Sequence, residues 1–126
     1  MLKLPIESSS DLVAVRNAVG KLAEEIGFRN AQQVKIITAV SEIVRNVLNY
    51  AGTGGCIARR TSRGIRIEVW DSGPGIPVET IQAIETGSYV SKTGMGKGIS
   101  GSKELMDSLS ILSSPGNTQI FMEMNL

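Results

Sequence analysis

The chain contains no histidine among its 126 residues, which excludes Ser-His-Asp, Cys-His and His-ligated metal mechanisms. Its chemistry has to run on carboxylates, amides, hydroxyls, lysines and backbone N–H groups. A single cysteine, Cys56, cannot close an internal disulfide and reads as an inert buried thiol; with no charged-then-apolar leader at the start, the expected setting is reducing and cytoplasmic. No run is long and apolar enough to span a bilayer. Excess charge is missing too. The 13 Lys and Arg and 12 Asp and Glu leave a net +1, so no whole-molecule field draws nucleic acid or an anionic membrane, and partners must be recognised locally.

What is present describes one globular domain over residues 1–126: 41% apolar and 20% charged residues are enough to build a core and too apolar for disorder. Leu2–Ile6 reads as a strand, followed by a serine cap and a helix whose apolar positions, Leu12 to Ile26, recur at helical spacing and stop at Gly27. Asn30 and Gln33 have the form of a capping box for a second helix reaching about Ala51. Ile36, Val40, Ile43, Val44 and Val47 mark its apolar side; Glu42, Asn46 and Asn49 fall opposite. Cys56–Thr61 and Ile65–Trp70 read as a hairpin through Ser62, Arg63 and Gly64, with Trp70 packing in the core. A short helix over Val78–Glu85, a loop over Thr86–Gly98, another helix to about Asp107 and a closing hairpin around Ser114–Asn117 complete the order. The implied fold is α+β, a two-layer sandwich with a mixed, mostly antiparallel sheet and helices on one face.

Half of the 14 glycines, Gly73 to Gly101, crowd into one stretch. Glycine costs folding entropy, a cost easier to understand where backbone N–H groups approach a ligand closely, as around phosphates; a flexible loop is the competing reading. Gly94-Met95-Gly96-Lys97-Gly98-Ile99 leads into a helix and would offer N–H groups and a positive helix end to a triphosphate, with Lys92 or Lys97 adding charge. The segment is neither a Walker loop nor a dinucleotide fingerprint. Glu42 and Asn46, spaced i, i+4, share one patch of the second helix. An amide oxygen suits Mg²⁺ and a carboxylate one turn earlier can take a hydroxyl proton, although a solvated helix face has the same composition. Asp71 ends an apolar strand, where it could accept a hydrogen bond from the amino group of adenine or simply form an Asx-turn with Ser-Gly-Pro-Gly. Arg59, Arg60, Arg63 and Arg66 read either as a solvated strand face or as a grip for an acidic partner.

Taken in order, Glu42-x-x-x-Asn46, Asp71-x-Gly73-x-Gly75, Gly94-x-Gly96-x-Gly98 and Gly116-Asn117-Thr118 resemble the four nucleotide-binding boxes of the Bergerat-fold (GHKL) ATPase and kinase superfamily. Thr38–Asn46 with Tyr50-Ala-Gly52, and Gly96–Asp107, are similar in wording to its anti-sigma and switch serine kinases of RsbT type. Tyr50 stands where anti-sigma relatives often carry histidine, which favours the switch-kinase branch, while Asn117 interrupts a more glycine-rich third box.

The resemblance implies Asn46 as Mg²⁺ ligand, Glu42 as catalytic base, Asp71 as adenine anchor with Gly73, Gly75 and Ile76 in its loop, Thr118 beside the adenine, and Gly94–Ile99 as a lid over ATP. It implies an Mg²⁺-ATP-dependent serine kinase of a partner-switching stress-response circuit. The acceptor would be a STAS-domain antagonist, and a PPM-type phosphatase or a sigma factor a further partner, with a homodimer also compatible. An anti-sigma factor that sequesters a sigma subunit and a non-catalytic nucleotide-binding module are the rival readings.

Overall fold

The computed structural model describes residues 1–88 and 95–126, Met95 by its backbone alone. In chain order the elements are β1 (Leu2–Ile6), α1 (Ser9–Ile26), α2 (Asn30–Asn46) continued by a π-helical turn (Val47–Ala51), β2 (Gly54–Arg60), β3 (Gly64–Asp71), α3 (Val78–Glu85), α4 (Met95–Leu105), β4 (Ser108–Ser114) and β5 (Asn117–Asn125). The sheet order is β1-β2-β3-β5-β4. Each of its four pairings is antiparallel, so the mixed character allowed from sequence is absent among the described residues. β3 is the central strand, and its alternation follows from that place: Ile65, Ile67 and Val69 point inward, buried against the helices.

α1 starts where Asp11 Oδ2 accepts the backbone N–H groups of Glu7 and Ser8, at 2.8 and 3.1 Å, and ends at Gly27, whose φ of 113° only glycine adopts without strain. α2 is capped one residue earlier than its sequence suggests. Arg29 is the N-cap, Asn30 lies inside the helix, and Gln33 Nε2 donates 2.7 Å to Phe28 O instead of returning to Asn30. Val15, Val19 and Ala23 of α1 and Ile36, Val40, Ile43 and Val44 of α2 join the inward side chains of β2, β3 and β5 in one core. Each such buried aliphatic contributes roughly 1.5–3 kcal/mol.

The opposite sheet face carries Lys3, Arg59, Arg66, Glu68, Trp70 and Phe121, all at least partly exposed. Trp70 therefore lies outside the core, contrary to the sequence expectation. Its strand register aims it outward, and its ring covers Gly55 on β2, where an added Cβ would come within 2.2 Å of the indole.

Candidate functional site

Asp71 is the last residue of β3, paired across β5 with Thr118. Its Oδ1 accepts the N–H of Gly73 at 2.9 Å, which folds the chain back sharply after the strand. Burial raises the Asp71 carboxyl above the ordinary carboxylate range, and the Gly73 hydrogen bond opposes that rise. Thr118 is 3% exposed and shares a 2.8 Å hydrogen bond with Ser113 Oγ. Ser113 Oγ in turn accepts the N–H of Ile76 at 2.8 Å, and Gly73 O accepts that of Gly116 at 2.8 Å. The loop after β3 is thus stapled to the β4–β5 hairpin. Gly75 has φ +89°, and a Cβ there would sit 3.0 Å from Ser114 O, so glycine is required twice over. Gly73 packs on the π-helical turn, where a Cβ would meet Ala51 Cβ at 2.7 Å.

These residues close one end of a cavity between α2 and the sheet. It is narrow, with about 20 Å³ open to the centre of a water-sized sphere. Ile43, Val47, Ile76 and Ile99 line it with apolar surface, and Asn46, Asp71 and Thr118 supply polar groups. A flat, apolar ring with a hydrogen-bonding edge suits such a lining. Asn46 also lines a second, open groove between α2 and α4, together with Glu42, Arg45, Tyr50, Lys97 and Gly98. Asn46 and Tyr50 are the residues common to both spaces. The π turn, closed by Gly52 N–H on Val47 O at 2.7 Å, changes the helical period there and carries Tyr50 to that border.

At the inner end of the groove three residues meet. A Cβ on Gly98 would lie 3.2 Å from Glu42 Oε2, 3.5 Å from Asn46 Oδ1 and 3.6 Å from Asn46 Nδ2. Glu42 Oε1 accepts 2.8 Å from Arg45 Nη1, a pair with side chains 40% and 46% exposed, so it orients the carboxylate more than it stabilises the fold. α4 is fastened to α2 by the buried Ser102, whose Oγ lies 3.1 Å from Ala39 O and 2.9 Å from Gly98 O. With Gly98 beside Glu42 and Asn46, and Ser102 beside Ala39, the two helices run antiparallel.

Glu42, Asn46 and Gly98 come together, and Asp71, Gly73, Gly75, Ile76 and Thr118 form a second group joined to the first through the shared cavity. The loop expected to continue to Gly98 ends earlier: α4 begins at Met95, which places Gly96, Lys97, Gly98 and Ile99 in its opening turns, with Ile99 fully buried. Gly94, Lys92 and the side chain of Met95 lie outside the described residues. Arg66 is neutralised by Glu68 and Glu123, and Arg60 donates to Glu25 O at the end of α1, so the basic cluster is divided among separate partners. Sequence reasoning missed Ser113, visible only through the β4–β5 register, and Arg45, which i, i+3 spacing from Glu42 would have found.

No group of three or more His, Cys, Asp or Glu among the described residues could cage a metal. The donors beside Gly98, the Asn46 amide and the Glu42 carboxylate, suit a site where a cation brings most of its ligands as water and phosphate oxygens, as Mg²⁺ does.

Residues 31–126 match the family described as histidine kinase-, DNA gyrase B-, and HSP90-like ATPase. Serine/threonine-protein kinase RsbT of Bacillus subtilis (strain 168) is 38% identical over 110 residues, covering 84% of this chain and 81% of RsbT. Among solved structures, the RsbU and RsbW domains of a Mycobacterium tuberculosis protein align with a TM-score of 0.68 at 18% identity, over 99% of this chain and 33% of that one. The SiaB–SiaC complex of Pseudomonas aeruginosa aligns with a TM-score of 0.68 at 10% identity, over 97% of this chain and 88% of that one. At those identities the two structures speak for the fold alone, and the chain spans about a third of the first. The apolar cavity with its Asp71–Thr118 edge, the Glu42–Asn46 helix patch and the match to RsbT over most of both chains agree: the chain belongs to the histidine kinase-, DNA gyrase B- and HSP90-like ATPase family, in its ATP-using serine/threonine protein kinase branch.

Proposed function

We propose that the chain is a cytoplasmic, Mg²⁺-ATP-dependent serine kinase of a partner-switching circuit in a stress response. Its acceptor is a serine on a small STAS-domain antagonist, and the kinase released from that antagonist binds and activates a PPM-type phosphatase. The observation that carries this reading is the meeting of Glu42 Oε2, the Asn46 amide and Gly98 at the mouth of a cavity that ends in Asp71 and Thr118. Adenine occupies the cavity with its amino group toward the Asp71 carboxylate, and the phosphates run past Asn46 toward the opening turns of α4.

Asn46 would hold Mg²⁺, which when bound supplies charge neutralisation on the phosphates. Glu42, oriented by Arg45, accepts the proton of the serine hydroxyl at Oε2 while the serine oxygen bonds to the γ-phosphorus and ADP departs. Gly98 has no side chain, so donor and acceptor approach directly beside this carboxylate. Little covalent work falls to the protein, and positioning supplies most of the rate.

The test mixes the protein, γ-labelled ATP, Mg²⁺ and a STAS-domain protein from the same organism. Label should appear on a STAS serine and be lost with Glu42→Ala. Transfer undiminished in that variant removes Glu42 from the base role, and capture of a sigma subunit without any transfer replaces the kinase reading with sequestration.

A further inference from the structure

Gly101 sits in the interior of α4, where glycine is less stable than alanine for want of backbone restriction. The usual reasons for accepting that cost are missing. Its φ is not positive, and a Cβ built there meets no atom of the described residues within 4 Å. Gly98, one turn earlier, differs: its Cβ would press on Glu42. Gly101 faces the open α2–α4 groove, with Thr38, Glu42 and Arg45 on the facing wall and Leu105 beyond it on its own helix. At the inner end of that groove is the carboxylate assigned above as base, so a hydroxyl can approach Glu42 along it. The space over Gly101 is continuous with the reaction centre, and no contact among the described residues explains why it is left open.

We infer that Gly101 is a specificity-determining residue, at which the backbone of the acceptor protein's serine-bearing segment lies against α4 while its hydroxyl reaches Glu42. The inference rests on the kinase reading and adds to it where the acceptor docks. A side chain at 101 would stand between that segment and the helix without touching the cavity lined by Asp71 and Thr118.

The experiment compares the unchanged chain with Gly101→Ala and Gly101→Leu, using the STAS-domain protein it phosphorylates as acceptor. For each, melting temperature, nucleotide dissociation constant and the KM and kcat of transfer are measured. Gly101→Ala should melt higher by roughly 3–5 °C, from the helix propensity gained. Gly101→Leu should stay folded and bind ATP within about twofold of the unchanged chain, while KM for the acceptor rises about tenfold or more. Unchanged KM in a folded Gly101→Leu protein overturns the docking inference and leaves the kinase reading intact. Weakened ATP binding with unchanged acceptor KM overturns it as well, by assigning the groove to nucleotide. Absence of transfer by the unchanged chain removes the kinase reading, and this inference with it.

Discussion

Replacing Asp71 with asparagine should move nucleotide affinity and fold stability in opposite directions. Burial raises the Asp71 carboxyl above its ordinary value of 3.8. A carboxyl whose folded-state value is raised binds its proton more tightly in the native chain, so its favourable contribution is present in acid and is lost as pH climbs from 3.8 through the raised value. At neutral pH the ionised group therefore weakens the fold. Asparagine carries no such charge, and its Oδ1 can still accept the Gly73 N–H, now at 2.9 Å. The nucleotide-free variant should then melt no lower than the parent at pH 7, and the two curves should converge below about pH 4 as Asp71 protonates. ATP affinity should fall. A hydrogen bond to a carboxylate is worth about twice one to a neutral amide, a difference of about 1 kcal/mol, or roughly five- to tenfold in dissociation constant. Asparagine can also donate to the carbonyl that guanine carries where adenine has its amino group, so preference for ATP over GTP should narrow. Calorimetric titration with each nucleotide and melting scans across pH 3–8 read both effects. ATP binding as tight in Asp71→Asn as in the parent would refute the placement of adenine against this strand end.

Other outcomes follow from the same geometry. Glu42→Gln should lower transfer by about 10²–10⁴-fold in single-turnover assays while ATP affinity changes little, the mark of a base that acts on the acceptor. Gly75→Ala should cost about 1–2 kcal/mol in denaturant unfolding, because φ +89° is strained for alanine and its Cβ would crowd Ser114 O at 3.0 Å. Cys56 is 1% exposed and burial pushes its thiol up to about 12. It should therefore resist iodoacetamide at pH 8 in the folded protein and react once the chain is unfolded in guanidinium.

Much of this arrangement was legible because periodicity reports burial directly. α1 ends at Gly27 and β3 alternates as the residue pattern says, since both are decided by local backbone preference and by which face meets the core. What periodicity could not register was tertiary choice. The N-cap is Arg29 and not Asn30, with Gln32 Oε1 accepting the Arg29 N–H at 3.4 Å while Gln33 reaches Phe28 O. Trp70 turned outward because β3 has one parity, and Val69 and Ile67 already claimed the buried side. The glycines at 96 and 98 read as loop, yet Ser102 bonded to Ala39 O holds that segment as helix against α2. The site divides the same way. Glu42 and Asn46 could be paired by helical spacing, whereas the Ser113–Thr118–Ile76 staple depends on a strand register that no local motif encodes.

The most direct measurement follows backbone and side-chain amide resonances of isotope-labelled protein as ATP and Mg²⁺ are added. Asn46 Nδ2, Gly73, Gly98 and Thr118 should shift together along one binding curve while Arg63, at the far turn of the β2–β3 hairpin, stays unmoved. Shifts confined to the outer sheet face around Trp70 and Phe121, or no common curve for Asn46 and Thr118, would contradict a single nucleotide held between α2 and the end of β3.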